Sequence, residues 1–216
     1  MASEENKAKV VETALRMFNE RGLKGVTMDD IAAELRMSKR TLYEVFANKE
    51  ALLSECLMLV HDRMEKAHRR TQCQGAEPLL MAMYMLRVGA DATYRYHRLI
   101  AESERYYPEI HDRYFKIHTD AMRTMLRKGM DYVKCHNYLR ADADVEVAID
   151  FLCNLVQERR ISEMADPQAH KRRLNEICFT YLRGLMTTET ITRYEQQEES
   201  LRTMLEKLKV GTEYNK

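Results

Sequence analysis

Three observations predict an all-α fold. Apolar residues recur at helical spacing along nearly the whole chain, and no convincing period-two stretch interrupts them. Only 7 Gly and 3 Pro stand among 216 residues. That is under half the roughly 12% of an average soluble chain, too few for the many turns of a β-sandwich or barrel. Hydrophobic residues make up 45% and charged ones 32%, the balance of a chain that folds around a core.

The elements follow in order. A first helix over about 5–21 places Val10, Ala14, Leu15 and Phe18 on one face, and Gly22 stops it. A second starts after Thr27 with Ile31, Ala32 and Leu35 inward, and a third over about 39–46 carries Leu42, Val45 and Phe46. A fourth starts after Asn48, carries Leu52, Leu53, Cys56, Val60 and Met64, and ends near Arg70. The stretch Thr71 to Pro78 reads as a linker. A helix from about Leu79 to Tyr94 and a shorter one to about Glu104 come next. Tyr107-Pro108 marks a boundary, because the residue before proline avoids helical angles. A long helix then runs over about 108–135, and His136 to Asp144 is a polar break. The helix over about 144–164 is apolar on more than one side, through Val145, Ala148, Ile149, Leu152 and Val156 and also Val147, Phe151 and Leu155. Asp166-Pro167 opens the next, about 168–186. A last helix, about 189–209, has a polar middle.

The 35 basic and 34 acidic side chains leave a formal net charge of +1. This excludes a uniformly basic, non-specific nucleic-acid binder and an acidic tail-like protein, but permits a local basic face. The longest apolar run, Leu79 to Leu86, is far short of the roughly 20 residues that cross a membrane. The charged start MASEENKAKV lacks a signal-peptide core, so a cytoplasmic location is expected. Cys56, Cys73, Cys135, Cys153 and Cys178 form no CxxC pair, which points to reduced thiols rather than a zinc ribbon. No dinucleotide, P-loop, HExxH or GxSxG pattern occurs. An enzyme is not expected, nor a cofactor or a metal. His111 and His118, seven apart on one helical face, read as solvated residues.

Residues 27–52 read TMDDIAAELRMSKRTLYEVFANKEAL. Three helix starts crowd into this stretch: Thr27 with Asp30 as a capping box, Ser38, and Asn48 with Glu50 in the following turn. Only Arg36, Met37 and Ser38 separate the second and third helices, the layout of a helix-turn-helix whose third helix reads DNA. Lys39, Arg40 and Thr41 fill that helix's first turn, where base edges are reached. Arginine can bridge guanine O6 and N7, and the threonine methyl can touch thymine. Tyr43 and Lys49 suit phosphate, as does Thr27 at a helix N-terminus, and Ser38, the cap of the third helix, completes the DNA-binding candidates. Glu44 can accept from cytosine N4 or pair with Arg40 one turn away.

This arrangement resembles the TetR family of bacterial transcriptional regulators. The matching residues are Phe18, Gly22, Gly25-Val26-Thr27, Ile31-Ala32, Leu35, Ser38, Thr41-Leu42-Tyr43, Phe46 and Asn48-Lys49-Glu50-Ala51-Leu52. The family usually opens the turn with glycine. Here Arg36 stands there, and a left-handed conformation costs a non-glycine residue about 1–2 kcal/mol. The resemblance implies a helix-turn-helix domain over 1–50 and a larger helical domain over 51–216 that binds ligand and dimerises. It further implies a homodimer through helices 144–164 and 168–186, a palindromic double-stranded operator, and a small, mostly apolar inducer that releases it. The methionines and tyrosines of the middle helices suit such a ligand. Met81, Tyr84, Met85, Tyr107, Phe115, Met122, Phe151 and Leu155 are the candidate lining. The rival reading is a helix-turn-helix protein that binds DNA or protein partners without an inducer.

Charge is segregated within the head. Residues 1–50 hold nine basic and nine acidic side chains, yet 36–49 carry Arg36, Lys39, Arg40 and Lys49 against Glu44 alone.

Overall fold

A computed structural model describes residues 2–72, 95–156, 167–193 and 195. In chain order the helices are α1 (Ala2–Arg21), α2 (Met28–Glu34), α3 (Lys39–Val45) and α4 (Lys49–Gln72), followed by α5 (His97–Tyr106), α6 (Pro108–Cys135), α7 (Val145–Val156) and α8 (Pro167–Leu185). Residues 188–193 form one further helical stretch. Among the described residues the only extended pairing is a single antiparallel bridge, Leu139 with Met186. The helix expected over 79–94, most of the linker, the end of 144–164 and most of 189–209 lie outside the described residues.

Local chemistry fixes the helix ends. α1 stops at Gly22, at φ +84, whose N–H still reaches Phe18 O at 2.9 Å. Thr27 and Asp30 close a complete capping box on α2. Ser38 caps α3 through Thr41 N, Asn48 Oδ1 accepts from Ala51 N at the start of α4, and Asp144 Oδ1 accepts from Glu146 N and Val147 N at the start of α7. Pro108 begins α6 where its missing N–H costs nothing. α2 and α6 end alike: the N–H of the first residue beyond the cap reaches back three residues and that of the next reaches back five. At α2 these bonds are Arg36 N to Ala33 O and Met37 N to Ala32 O. At α6 they are Asn137 N to Lys134 O and Tyr138 N to Val133 O. Both turns need a left-handed residue, and Arg36 and Asn137 take it, at φ +52 and +58.

Two apolar cores organise the packing. The first gathers Val10, Leu15, Phe18, Ile31, Leu42 and Leu53, and extends to Leu99 on α5 and Tyr114 on α6. It crosses the expected domain boundary near residue 50, because α4 belongs to both sides. The second joins the end of α6 to α7 and α8 through Leu126, Met130, Ile149, Leu152, Cys178 and Leu182. The polar break after α6 is not simply solvated: Leu139 and Ala143 are buried, and Arg140 N and Thr187 N tie it to the end of α8.

A polar joint binds α5 to the end of α1. The Arg98 guanidinium donates to the Glu20 and Arg21 carbonyls, at 2.8 and 3.2 Å. A cation there complements the negative end of the helix dipole. Glu102 pairs with Arg98 and accepts the Leu23 N–H at 2.5 Å. A methyl group on Gly22 would stand 2.6 Å from Arg98 Nη2 and 2.7 Å from Glu102 Oε1, so glycine serves both the turn and the close approach.

Candidate nucleic-acid interface

α3 turns Leu42 into the core and leaves Lys39, Arg40, Tyr43 and Glu44 exposed. Arg40 is the most open of the charged groups, its side chain 89% exposed, and its Nε donates to Glu44 Oε1 at 3.0 Å. The i,i+4 pairing weighed for Glu44 is thus present in the free protein. An exposed pair of this kind is worth under about 1 kcal/mol, so it yields readily to a base or phosphate. Lys39 pairs with Asp29 of α2, which holds its ammonium above the ordinary lysine value. Tyr43 is 48% exposed. Thr41 Oγ1 lies 2.8 Å from Ser38 Oγ, so part of the α3 cap consists of the residues expected to meet DNA. The local positive excess over 36–49 is therefore partly neutralised before DNA arrives.

Two expected phosphate contacts are placed otherwise. The Thr27 hydroxyl donates to Asp30 Oδ2 at 2.6 Å and accepts from Asp30 N. The bonds that the Thr27 hydroxyl and Thr27 N donate to Asp30 Oδ2 hold that carboxyl below its ordinary value. A carboxylate thus stands at the helix end where a phosphate was expected. Lys49 points inward: its Nζ donates to the Leu23 and Val26 carbonyls and lies 5.6 Å from the centre of the Phe18 ring. Burial lowers its pKa. In this structure it fastens the loop between α1 and α2.

Behind the head, a cavity of about 480 Å³ opens between the second half of α4 and the middle of α6. Of the expected lining, Met122 stands on its wall. Met81, Tyr84 and Met85 lie outside the described residues. Tyr107 and Phe115 pack instead against the first core, and Phe115 stacks on His111 with ring centres 5.7 Å apart. Phe151 is 37% exposed on α7, its ring 4.1 Å from that of Tyr181 on α8, and Leu155 packs on the second core. The reason is the two-sided apolar pattern of α7: Ile149 and Leu152 take its core face, which leaves Val147 and Phe151 outside.

The histidines also depart from expectation. His111 is buried, with Nδ1 3.1 Å from Ser103 Oγ, and His118 lines the cavity opposite His61 of α4. His61 is not among the residues expected from the sequence. Its signal was its place on the apolar strip with Leu57 and Met64, at helical spacing. Arg98 and Glu102 had no such local signal. Among the described residues no group of three or more metal-ligating side chains occurs, and no helix is long and apolar enough to cross a membrane.

Comparisons with known proteins agree with this geometry. The family model described as bacterial regulatory proteins, tetR family, matches residues 10–56. The HTH-type transcriptional repressor KstR2 of Mycobacterium tuberculosis is 26% identical over 154 residues, covering 68% of this chain and 75% of that protein. A solved transcriptional regulator from Cytophaga hutchinsonii superposes with a TM-score of 0.75 at 14% identity, over 83% of this chain and 98% of that one. A gamma-butyrolactone receptor described as ArpA-like gives 0.65 at 20% identity, over 94% of this chain and 100% of that one. The helix-turn-helix of α2 and α3, the helical body behind it and the match over residues 10–56 lead to one conclusion: residues 10–56 form a DNA-binding domain of the tetR family of bacterial regulatory proteins, and the protein is a DNA-binding transcriptional regulator.

Proposed function

We propose that the protein works as a homodimeric repressor that binds a palindromic operator and is released by a medium-sized, mostly apolar ligand. The observation that carries this reading is the continuity of α4. Its first turn is capped by Asn48 beside α3, and its second half walls the cavity through His61 and Met64. A ligand that changes the spacing of α4 and α6 therefore acts on the same rigid rod that carries the head, residues 1–50. It shifts operator binding only if it binds the two states with different affinity.

In the complex Lys39, Arg40 and Thr41 face base edges, Tyr43 and the Ser38 turn meet phosphate, and Arg40 leaves Glu44 for its base. Val147, 58% exposed, and Phe151 offer an apolar α7 face beside α8 for a second copy, and two-fold symmetry then pairs two half-sites. KstR2 is a ketosteroid transcriptional regulator, and another structural neighbour is a gamma-butyrolactone receptor. Both names fit a cavity within the roughly 300–1,000 Å³ usual for small-molecule sites.

The test is native mass spectrometry of the full chain purified from its host, followed by operator binding after the bound molecule is removed. The reading expects a dimer carrying a small molecule and tighter operator binding once it is gone. A monomer, or a dimer whose operator affinity ignores the molecule, contradicts it.

A further inference from the structure

The cavity wall holds a polar group that the other described residues leave without a hydrogen bond. His61 is 8% exposed, and its Nδ1 is buried with no hydrogen-bond partner among the described residues. Its other notable contact is edge-on to the His118 ring, with centres 5.9 Å apart at 87°. Nine-tenths or more of buried polar groups are paired in native structures, so an orphan in a cavity wall calls for a partner that enters the cavity. The ring lines the cavity, and χ2 of histidine is a broad, roughly two-fold torsion. A ligand atom at the wall can therefore pair the nitrogen by rotating the ring, without moving α4.

The surrounding wall sets the character of that ligand. Met64, Ala121, Met122 and Met125 supply an apolar, adaptable surface. The charges around them balance: Glu65 is paired with Arg69 at 2.8 Å, and Asp120 and Lys128 carry opposite signs. A balanced rim gives an ion no net attraction, and an unpaired ionic group against apolar walls is costly to desolvate. A neutral imidazole nitrogen donates or accepts according to its tautomer, so it can serve a carbonyl or a hydroxyl oxygen.

We propose that the cavity between α4 and α6 takes a neutral, mostly apolar molecule with one carbonyl or hydroxyl oxygen, and that His61 Nδ1 binds that oxygen. This rests on the ligand site proposed above. It adds the group that recognises the ligand and the chemical class recognised.

The test uses the full chain and three matched fluorophores: a dimethylaminonaphthalene carrying a propionyl ketone, its carbinol, and its propyl analogue without oxygen. The ketone or the carbinol binds the unmodified protein about tenfold more tightly than the propyl compound, the loss expected from one unmade buried hydrogen bond. Which of the two binds better tells carbonyl from hydroxyl. His61→Leu removes that preference. His61→Asn, whose amide nitrogen stands near the place of Nδ1, restores most of it. Ligand-free His61→Leu unfolds at the same or higher denaturant than the unmodified chain, since it removes a buried orphan nitrogen. A preference for oxygen that survives His61→Leu, or equal binding of all three probes, overturns this inference and leaves the cavity reading standing. Failure of all three to bind the unmodified chain overturns both.

Discussion

Glu102→Ala tests the joint between head and body. Glu102 Oε2 accepts the N–H of Leu23, a fully buried residue, at 2.5 Å, and its Oε1 pairs with Arg98. Removing the carboxylate leaves that N–H without a charged acceptor, a loss of about 1.5–3 kcal/mol. The Arg98 pair is partly exposed and adds under about 1 kcal/mol. Arg98 also keeps its bonds to the Glu20 and Arg21 carbonyls. The expected cost is about 2 kcal/mol, roughly a thirtyfold shift of the unfolding equilibrium. In urea the midpoint falls while the slope is unchanged, because the surface exposed on unfolding is the same. Gly22→Ala provides the second arm of the test. Its methyl would meet both Arg98 and Glu102 at φ +84, so part of its cost disappears in the Glu102→Ala background, and the double-mutant cycle shows coupling. An unchanged midpoint for Glu102→Ala, or strictly additive costs, would refute the joint.

Three further outcomes are expected. Arg36→Gly relieves the left-handed strain at φ +52 and stabilises the fold by about 0.5–1 kcal/mol, net of the entropy glycine adds to the unfolded chain; thermal unfolding checks it. Lys49→Met loses about 1–2 kcal/mol by urea titration, near the low end for charged hydrogen bonds because burial already opposes the ammonium. It leaves the salt dependence of operator binding unchanged, whereas a phosphate contact would lower the slope by about one. Thiol labelling followed by peptide mapping finds Cys135 modified well before Cys56, Cys153 and Cys178. Cys135 is exposed, while burial raises the pKa of the others, that of Cys178 to about 11. A cysteine reacts with the labelling reagent as its thiolate, which is the nucleophile.

What the sequence revealed was local. The caps at Thr27, Ser38 and Asn48, the stop at Gly22 and the Pro108 start all act within four residues, and each stands where its residue type implied. The left-handed Arg36 was legible only through the resemblance, since the family usually places glycine at that turn. What it hid was decided by tertiary placement. Lys49 could have pointed to phosphate or to the loop, and it points inward because the Leu23 and Val26 carbonyls accept from its Nζ, which also lies over the Phe18 ring. Lys39 found Asp29 on the neighbouring helix. Phe151 belongs to a helix with two apolar faces, and only the packed structure shows which face the core takes. Arg98 and Glu102 meet partners 77 to 79 residues away, a separation that periodicity cannot bridge.

The central claim is that α3 reads a specific DNA sequence, and selection of operators from random duplexes with the full chain tests it most directly. The expected result is an enriched palindrome with half-sites about one helical turn apart, in which Arg40→Ala relaxes the preference at one position of each half-site. No enrichment, or an Arg40→Ala protein that binds all sequences uniformly more weakly with its preferences intact, would contradict the account.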